Sequence, residues 1–340
     1  YCQTATFCIS MLKLINIIFL LIVGLSCSKK GPDDLIQIAV IPKGTSHEFW
    51  KSVHAGAIKA EKTLLEEGTK VQIFWKGPLR EDDREQQIQV VENFISREVD
   101  GIVLAPLDEN ALVWPVISAM EKNIPVVVID SDLNTDKRIS YVATDNYNGG
   151  VIAAKHLAEL MGYKGNAIIM RYQAGSASTD SREKGFIDKI TNDYSKIKII
   201  SMDQYAGATR ESAYTTAQNL LNRYGKKISG LFTPNESTTV GAVLALKDLN
   251  IKNGQIHLVG FDASTRLITA LAEKQLDAVV VQNPMGMGYK GVMSIVKHIK
   301  GEKVKSRIDT GVELVTFENM NSKEMQELLN PPIAKYLQEK

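Results

Sequence analysis

The chain has 340 residues, 44% hydrophobic and 23% charged, with 40 Lys plus Arg against 39 Asp plus Glu and a net charge of +1. This is an ordinary globular composition, long enough for two domains. The mixed signs supply neither a basic face for nucleic acid nor a polybasic patch for an anionic membrane. The three cysteines are Cys2, Cys8 and Cys27, and none follows. The body of the chain therefore has no disulfide, no thiolate nucleophile and no cysteine-ligated zinc site.

The first elements concern targeting. Residues 1–10 precede Met11, which reads as the natural start. Lys13 is then a minimal positive n-region, 14–23 an apolar h-region, and Gly24-Leu25-Ser26 a small-x-small cleavage site. The apolar run is shorter than the roughly 20 residues of a spanning helix, so export is the expectation. Leu25-Ser26-Cys27 resembles a bacterial lipobox, which implies lipidation of Cys27. Gly24 stands where that motif prefers leucine, and ordinary cleavage leaving a free thiol is the alternative. Residues 28–32 read as a tether.

From Ile36 onward strand-like runs alternate with helical patterns, the mark of βαβ units and a parallel sheet. Strands are expected at 36–41, 71–75, 101–105, 125–130 and 139–143. Between the first four run helices marked by Val53, Ala57, Ala60 and Leu64, by Ile88, Val91, Phe94 and Ile95, and by Leu112, Val116, Ile117 and Met120. A second, similar series follows: a helix at 146–161, strands at 166–172, 197–202, 231–233 and 256–261, and helices through Phe186 and Ile190, Ala213 to Leu221, and Val240 to Leu249. The last part reads as a strand at 276–281, a helix at 286–300, a strand at 312–317, and a polar helix at 321–329 leading to Pro331-Pro332. Two such series without a long linker predict two Rossmann-like α/β lobes with parallel sheets, joined by short hinge-like crossings.

Ligands of open α/β sheets sit beyond the carboxyl ends of the strands. After the first strand come Lys43, His47, Phe49 and Trp50, offering aromatic faces and hydrogen-bonding groups. Later strands end in Asp130, Asn235, Asp262 and Gln282. Turn chemistry and helix capping explain any one such residue, but the series points to one crevice. Lys43 is expected to be solvated unless the ligand is charged, and Glu236 to cap a helix.

Several stretches are more specific. Leu258-Val259-Gly260-Phe261-Asp262 resembles the Val-Gly-Phe-Asp signature of periplasmic sugar-binding proteins of the ribose-binding type. Ile124 to Asp130 is similar to that family's Ile-Pro-Val strand ending in aspartate. Tyr141 to Asn146 with Gly149-Gly150 resembles its hinge and helix start, and Arg182 to Phe186 its arginine-bearing helix. The resemblance covers 36–317. It implies the type I periplasmic-binding-protein fold, with one lobe from 35–144 plus 283–311, the other from 145–282 plus 312–320, and a tail at 321–340. It also implies a non-enzymatic, monomeric substrate-binding component of an ABC transporter, in the periplasm or cell envelope, needing no cofactor or metal. The repressor ligand domains that share the fold carry DNA-reading helices where this chain has its export-like segment.

Carried over by position, the resemblance implies a sugar site in which Phe49 and Trp50 contact the ring. His47 takes a position usually held by asparagine, Asp130 and Arg182 clamp hydroxyls, and Asn235, Asp262 and Gln282 complete the shell. Three departures count against ribose itself: Ala105 in place of an asparagine, Ser131 in place of an arginine, and Ala208 in place of a phenylalanine. Ser131 and Lys43 remain candidates for ligand contact.

Other chemistries find less support. His47 and His54 lie seven residues apart, which excludes the zincin spacing. No glycine fingerprint or phosphate loop follows the first strand. Asp130 and Asp262 could form a hydrolase's acid–base pair, and a closed lobe pair could equally signal to a membrane receptor kinase. His156, His257 and His298 read as structural or solvated, and Met285, Met287 and Met293 as packing residues.

Overall fold

A computed structural model of the chain describes residues 35–337. The export segment, Cys27 and the other two cysteines lie outside the described residues. Among the described residues, no helix is long and apolar enough to cross a membrane.

Two six-stranded sheets form the frame. The first holds β1 (Ile36–Ile41), β2 (Val71–Trp75), β3 (Gly101–Leu104), β4 (Val126–Ile129), β5 (Ser140–Ala143) and β11 (Arg307–Asp309), in the order β11-β5-β4-β3-β1-β2. Every pairing in it is parallel. The second holds β6 (Gly165–Arg171), β7 (Ile197–Tyr205), β8 (Gly230–Phe232), β9 (His257–Phe261), β10 (Ala278–Val281) and β12 (Glu313–Thr316), in the order β12-β10-β9-β8-β6-β7. Here only β12 runs antiparallel, against β10. The central strands are buried on both faces, as at Val126–Ile129 and Ala278–Val281, which explains their continuous apolar runs.

Helices cover both faces. In the first lobe these are α1 (Glu48–Glu66), α2 (Arg84–Ser96) and α3 (Val113–Glu121). In the second they are α4 (Asn146–Leu160), α5 (Ala177–Asp193), α6 (Arg210–Tyr224), α7 (Glu236–Asp248) and α8 (Thr265–Ala272). Helix α9 (Pro284–Ile299) returns to the first lobe, where Met287, Val292 and Ile295 join the core of β1, β3 and β4. The chain thus passes between lobes after β5, after β10 and after β11. Helix α10 (Lys323–Leu329) buries Met325 and Leu329 against the second lobe's core.

Two elements go beyond the sequence expectation. Helix α8 was not anticipated, although Leu267, Ala270 and Leu271 are buried at helical spacing. Strand β11 was not anticipated either. It is a largely exposed, charged edge of three residues with no alternation to betray it.

In each lobe the strand order reverses beside the first strand, so a crevice opens at its carboxyl end. The lobes present these ends to one another and touch across the crevice. The Glu109 N–H donates to the Gly175 carbonyl at 2.9 Å, and the Arg84 guanidinium to the Ala174 carbonyl at 3.1 Å. Gly175 suits this contact because its φ is +87° and a Cβ there would stand 2.5 Å from Asp108 Oδ2.

Candidate functional site

The crevice is walled by Lys43, His47, Phe49, Trp50, Asp130, Arg182, Asn235, Asp262 and Gln282, nine of the ten sequence candidates for ligand contact. The tenth, Ser131, is not a wall residue. Its hydroxyl accepts the Ser178 N–H at 3.0 Å and so fastens one lobe to the other.

The two aspartates occupy equivalent places. Asp130 ends β4 and Asp262 ends β9, the fourth strand of each series. Both adopt left-handed backbone, with φ of +63° and +70°. Each N–H donates to the neighbouring strand, Asp130 to the Val142 carbonyl at 3.1 Å and Asp262 to the Val280 carbonyl at 2.8 Å. Non-glycine residues in this region are uncommon and gather at functional sites.

Each carboxylate in the crevice has a cation. Lys43 Nζ lies 3.0 Å from Asp130 Oδ2 and also donates to the Ser176 and Ser178 hydroxyls of the other lobe, at 3.3 and 3.1 Å. The expectation of a solvated Lys43 is therefore corrected: it is 3% exposed. A lysine two residues past a strand end points along the strand into the crevice, and closure of the second lobe seals it there.

Arg182 is buried and held on three sides. Its Nε donates to Asn146 Oδ1 at 2.8 Å, its Nη1 to the Pro234 carbonyl at 2.8 Å, and its guanidinium lies 3.9 Å from the Phe261 ring centre. Asp262 Oδ2 stands 4.0 Å from Nη1. Asp262 also accepts from Gln282 Nε2 at 2.6 Å and from the Glu236 N–H at 3.1 Å. Burial pushes its carboxyl up to about 6, against the opposing pull of Arg182 and of the Gln282 hydrogen bond. The other amide atom, Gln282 Oε1, is buried without a hydrogen-bond partner among the described residues.

The expected cap at Glu236 is also corrected. Asn235 is the N-cap of α7, accepting the Thr238 N–H, while the buried Glu236 carboxylate pairs with Arg210 at 2.5 Å.

A carboxylate missed in the sequence closes the aromatic end. Glu81, buried, accepts from His47 Nδ1 at 2.8 Å, Trp50 Nε1 at 2.6 Å and the Tyr172 hydroxyl of the other lobe at 2.5 Å. Burial would raise its carboxyl, but the His47 contact followed by the Tyr172 and Trp50 hydrogen bonds holds it down at about 2. His47 moves up in answer: burial is the largest influence and opposes its charge, but the Glu81 hydrogen bond and the nearby Glu81 and Glu236 charges together outweigh it. Phe49 meets Trp50 edge to face, centroids 4.9 Å apart.

Tyr172, Ser178 and Thr179 complete the wall and were also missed. Tyr172 directly follows β6, so the strand-end rule could have found it. Glu81 sits in the run Arg80-Glu81-Asp82-Asp83-Arg84, which reads as a solvated loop. Ala105 and Ala208 are buried off the crevice wall, and the Ala105 carbonyl accepts the Gln87 amide at 2.8 Å. Among the described residues, no cluster of three or more histidine, cysteine or acidic side chains could hold a metal ion.

Residues 38–303 match the periplasmic binding protein domain. The chain belongs to this family. A D-allose-binding periplasmic protein of Escherichia coli is 30% identical over 276 residues, 79% of this chain and 86% of that one. Among solved structures, a carbohydrate transporter solute-binding protein from Agrobacterium radiobacter in complex with D-arabinose is 32% identical. It superposes with a TM-score of 0.81 over 87% of this chain and 99% of that one. An ABC transporter solute-binding protein from Agrobacterium vitis with bound D-fucose is 35% identical, with a TM-score of 0.81 over 86% and 99%. In this periplasmic binding protein the two type I lobes are thus in place, with the charged residues gathered between them.

Proposed function

We propose that the chain captures a neutral monosaccharide or related polyhydroxylated ligand between its lobes, closes on it and delivers it to the permease of an ABC importer. The observation that carries this reading is the convergence of Asp130, Arg182, Asp262 and Gln282 with Phe49 and Trp50 on one crevice. A sugar presents a C–H face to aromatic rings and a rim of hydroxyls to ordered partners. Charged partners make such hydrogen bonds about twice as strong as neutral ones.

The charge pairing favours a neutral ligand. Asp130 has Lys43, Glu81 has His47, Glu236 has Arg210 and Asp262 has Arg182. A sugar phosphate or uronic acid would meet carboxylates whose cations, among the described residues of the crevice, are already paired. Pairing of both aspartates and membership of a binding-protein family favour binding over the hydrolase alternative. Export and lipidation at Cys27 fit this reading, and mass spectrometry of membrane-bound protein tests them.

A thermal-shift panel of pentoses, hexoses, deoxysugars, polyols, uronic acids and sugar phosphates tests the function. A ligand at 100 times its Kd stabilises by about 2.7 kcal/mol. A neutral sugar is expected to raise Tm, and Asp262→Ala and Arg182→Ala to abolish the rise while leaving the apo protein folded. No response from any neutral sugar or polyol would overturn the reading.

A further inference from the structure

With the lobes in contact the open space left in the crevice is about 30 Å³, room for about one or two waters, so a sugar ring enters it only as the lobes part. Next to it lies a cavity of about 190 Å³ that shares Phe49, Asp262 and Gln282 as walls. Its far side is built by the end of the chain. Helix α10 docks on the second lobe, Pro331-Pro332 turn the chain, and the short 3₁₀ turn Ile333–Lys335 settles against α1 of the first lobe. There Lys62 Nζ reaches the Lys335 carbonyl at 3.5 Å and lies 5.4 Å from the Tyr336 ring centre. This strap crosses from lobe to lobe, and Leu328, Leu329 and Ile333 face the cavity from it.

The cavity has the two-sided chemistry of a carbohydrate subsite. Phe49, Ile268, Leu329 and Ile333 supply apolar surface. Against them stand Ser264 and Gln282, and Ser264 Oγ and Gln282 Oε1 are the two buried side-chain polar atoms without a partner among the described residues. Ser264 occupies the N-cap position of α8, where a serine hydroxyl ordinarily accepts from the first turn, yet it makes no such bond. Glu48 of the other lobe serves that helix end instead, accepting the Thr265 N–H at 2.9 Å. The hydroxyl of this cavity-lining serine is thereby left without a partner among the described residues, and a buried polar group without a partner is costly until something bonds it.

We propose that this space under the C-terminal strap is a second subsite, which takes the glycosidic substituent or second ring of a ligand whose first ring lies in the crevice. The inference rests on the sugar-binding reading above and extends it from a free monosaccharide to a glycoside. A ligand hydroxyl or ring oxygen would bond Ser264, a hydroxyl would donate to Gln282 Oε1, and a C–H face would pack on Phe49 and Ile268.

Isothermal titration of the whole protein tests this with D-glucose, D-galactose, D-allose and D-ribose, each beside its methyl and 4-nitrophenyl glycosides in both anomers. At least one glycoside is expected to bind about 10-fold or more tightly than its parent sugar, about 1.4 kcal/mol. Ser264→Ala and the cavity-filling Ile268→Trp should each reduce that advantage without changing the parent sugar's Kd. Circular dichroism melts of both variants establish that they fold, and Ser264→Ala serves alone if Ile268→Trp does not. Parent sugars binding while every glycoside binds more weakly would overturn the subsite and leave the sugar reading standing. An advantage untouched by folded variants would overturn it equally. Failure of all these probes to bind would overturn the subsite, and the sugar reading falls with it only if the wider panel of neutral sugars and polyols also gives no response.

Discussion

The hydrogen bond from Tyr172 to Glu81 spans the crevice, so removing it should loosen closure without unmaking either lobe. In Tyr172→Phe only a hydroxyl is lost. Glu81 keeps His47 at 2.8 Å and Trp50 at 2.6 Å, both from its own lobe, so its charge is not stranded. A hydrogen bond to a charged group contributes about 1.5–3 kcal/mol. If tight binding requires the closed arrangement, losing that amount from closure alone weakens affinity roughly 10- to 150-fold. The expected signature in titration and stopped-flow is a faster ligand off-rate with the urea midpoint of the apo protein little changed. Because Tyr172 also borders the crevice, a double-mutant cycle with Glu81→Gln separates closure from direct ligand contact. Coupling above about 1 kcal/mol supports the cross-lobe bond. Wild-type affinity in Tyr172→Phe, or no coupling to Glu81, would refute this reasoning.

Two further outcomes follow from the geometry. Asp262 has its carboxyl raised from 3.8 to about 6, so the folded protein binds more protons than the unfolded chain between those values. Its contribution to stability is most favourable below 3.8 and declines as pH rises through 6. Sugar affinity should run the opposite way, falling as pH drops through about 6 because the ionised form is the acceptor; titrations across that range should show the fall in wild type and not in Asp262→Asn. At Gly175, where a Cβ would meet Asp108 Oδ2 at 2.5 Å, Gly175→Val should hold the lobes apart. Small-angle scattering with saturating ligand should then show less compaction than in wild type.

The architecture was legible because each strand is a short apolar run bounded by turns and each helix carries apolar residues at regular spacing. The site was legible where its residues lie at strand ends, since a parallel sheet sends all such ends to one side. Asp130, Asn235, Asp262 and Gln282 followed from that rule alone. Glu81 did not, because its burial depends on Tyr172, 91 positions away in the other lobe, while its neighbours Arg80 and Asp82 are exposed as a charged loop should be. Lys43 failed for the same reason: the hydroxyls of Ser176 and Ser178 reach it only when the lobes meet. Local pattern reports which side chains point toward the crevice. What seals them there is non-local.

The paired aspartates show what the site costs the fold. With φ of +63° at Asp130 and +70° at Asp262, each residue holds a conformation that glycine adopts freely and that costs other L-residues about 1–2 kcal/mol. Glycine would suit the backbone but leave no acceptor in the crevice, so an aspartate there trades stability for a carboxylate on the crevice wall. Comparing Asp262→Gly with Asp262→Ala isolates this trade, because both lose the carboxylate and its bonds to Gln282 and the Glu236 N–H. At an ordinary position glycine lowers stability relative to alanine through the freedom of the unfolded chain. Here the order should reverse, with Asp262→Gly the more stable by about 1 kcal/mol in urea denaturation and neither variant binding sugar. The same reversal is expected at Asp130. If alanine proves as stable as glycine at both sites, the left-handed backbone carries no strain and the aspartates are held there without cost.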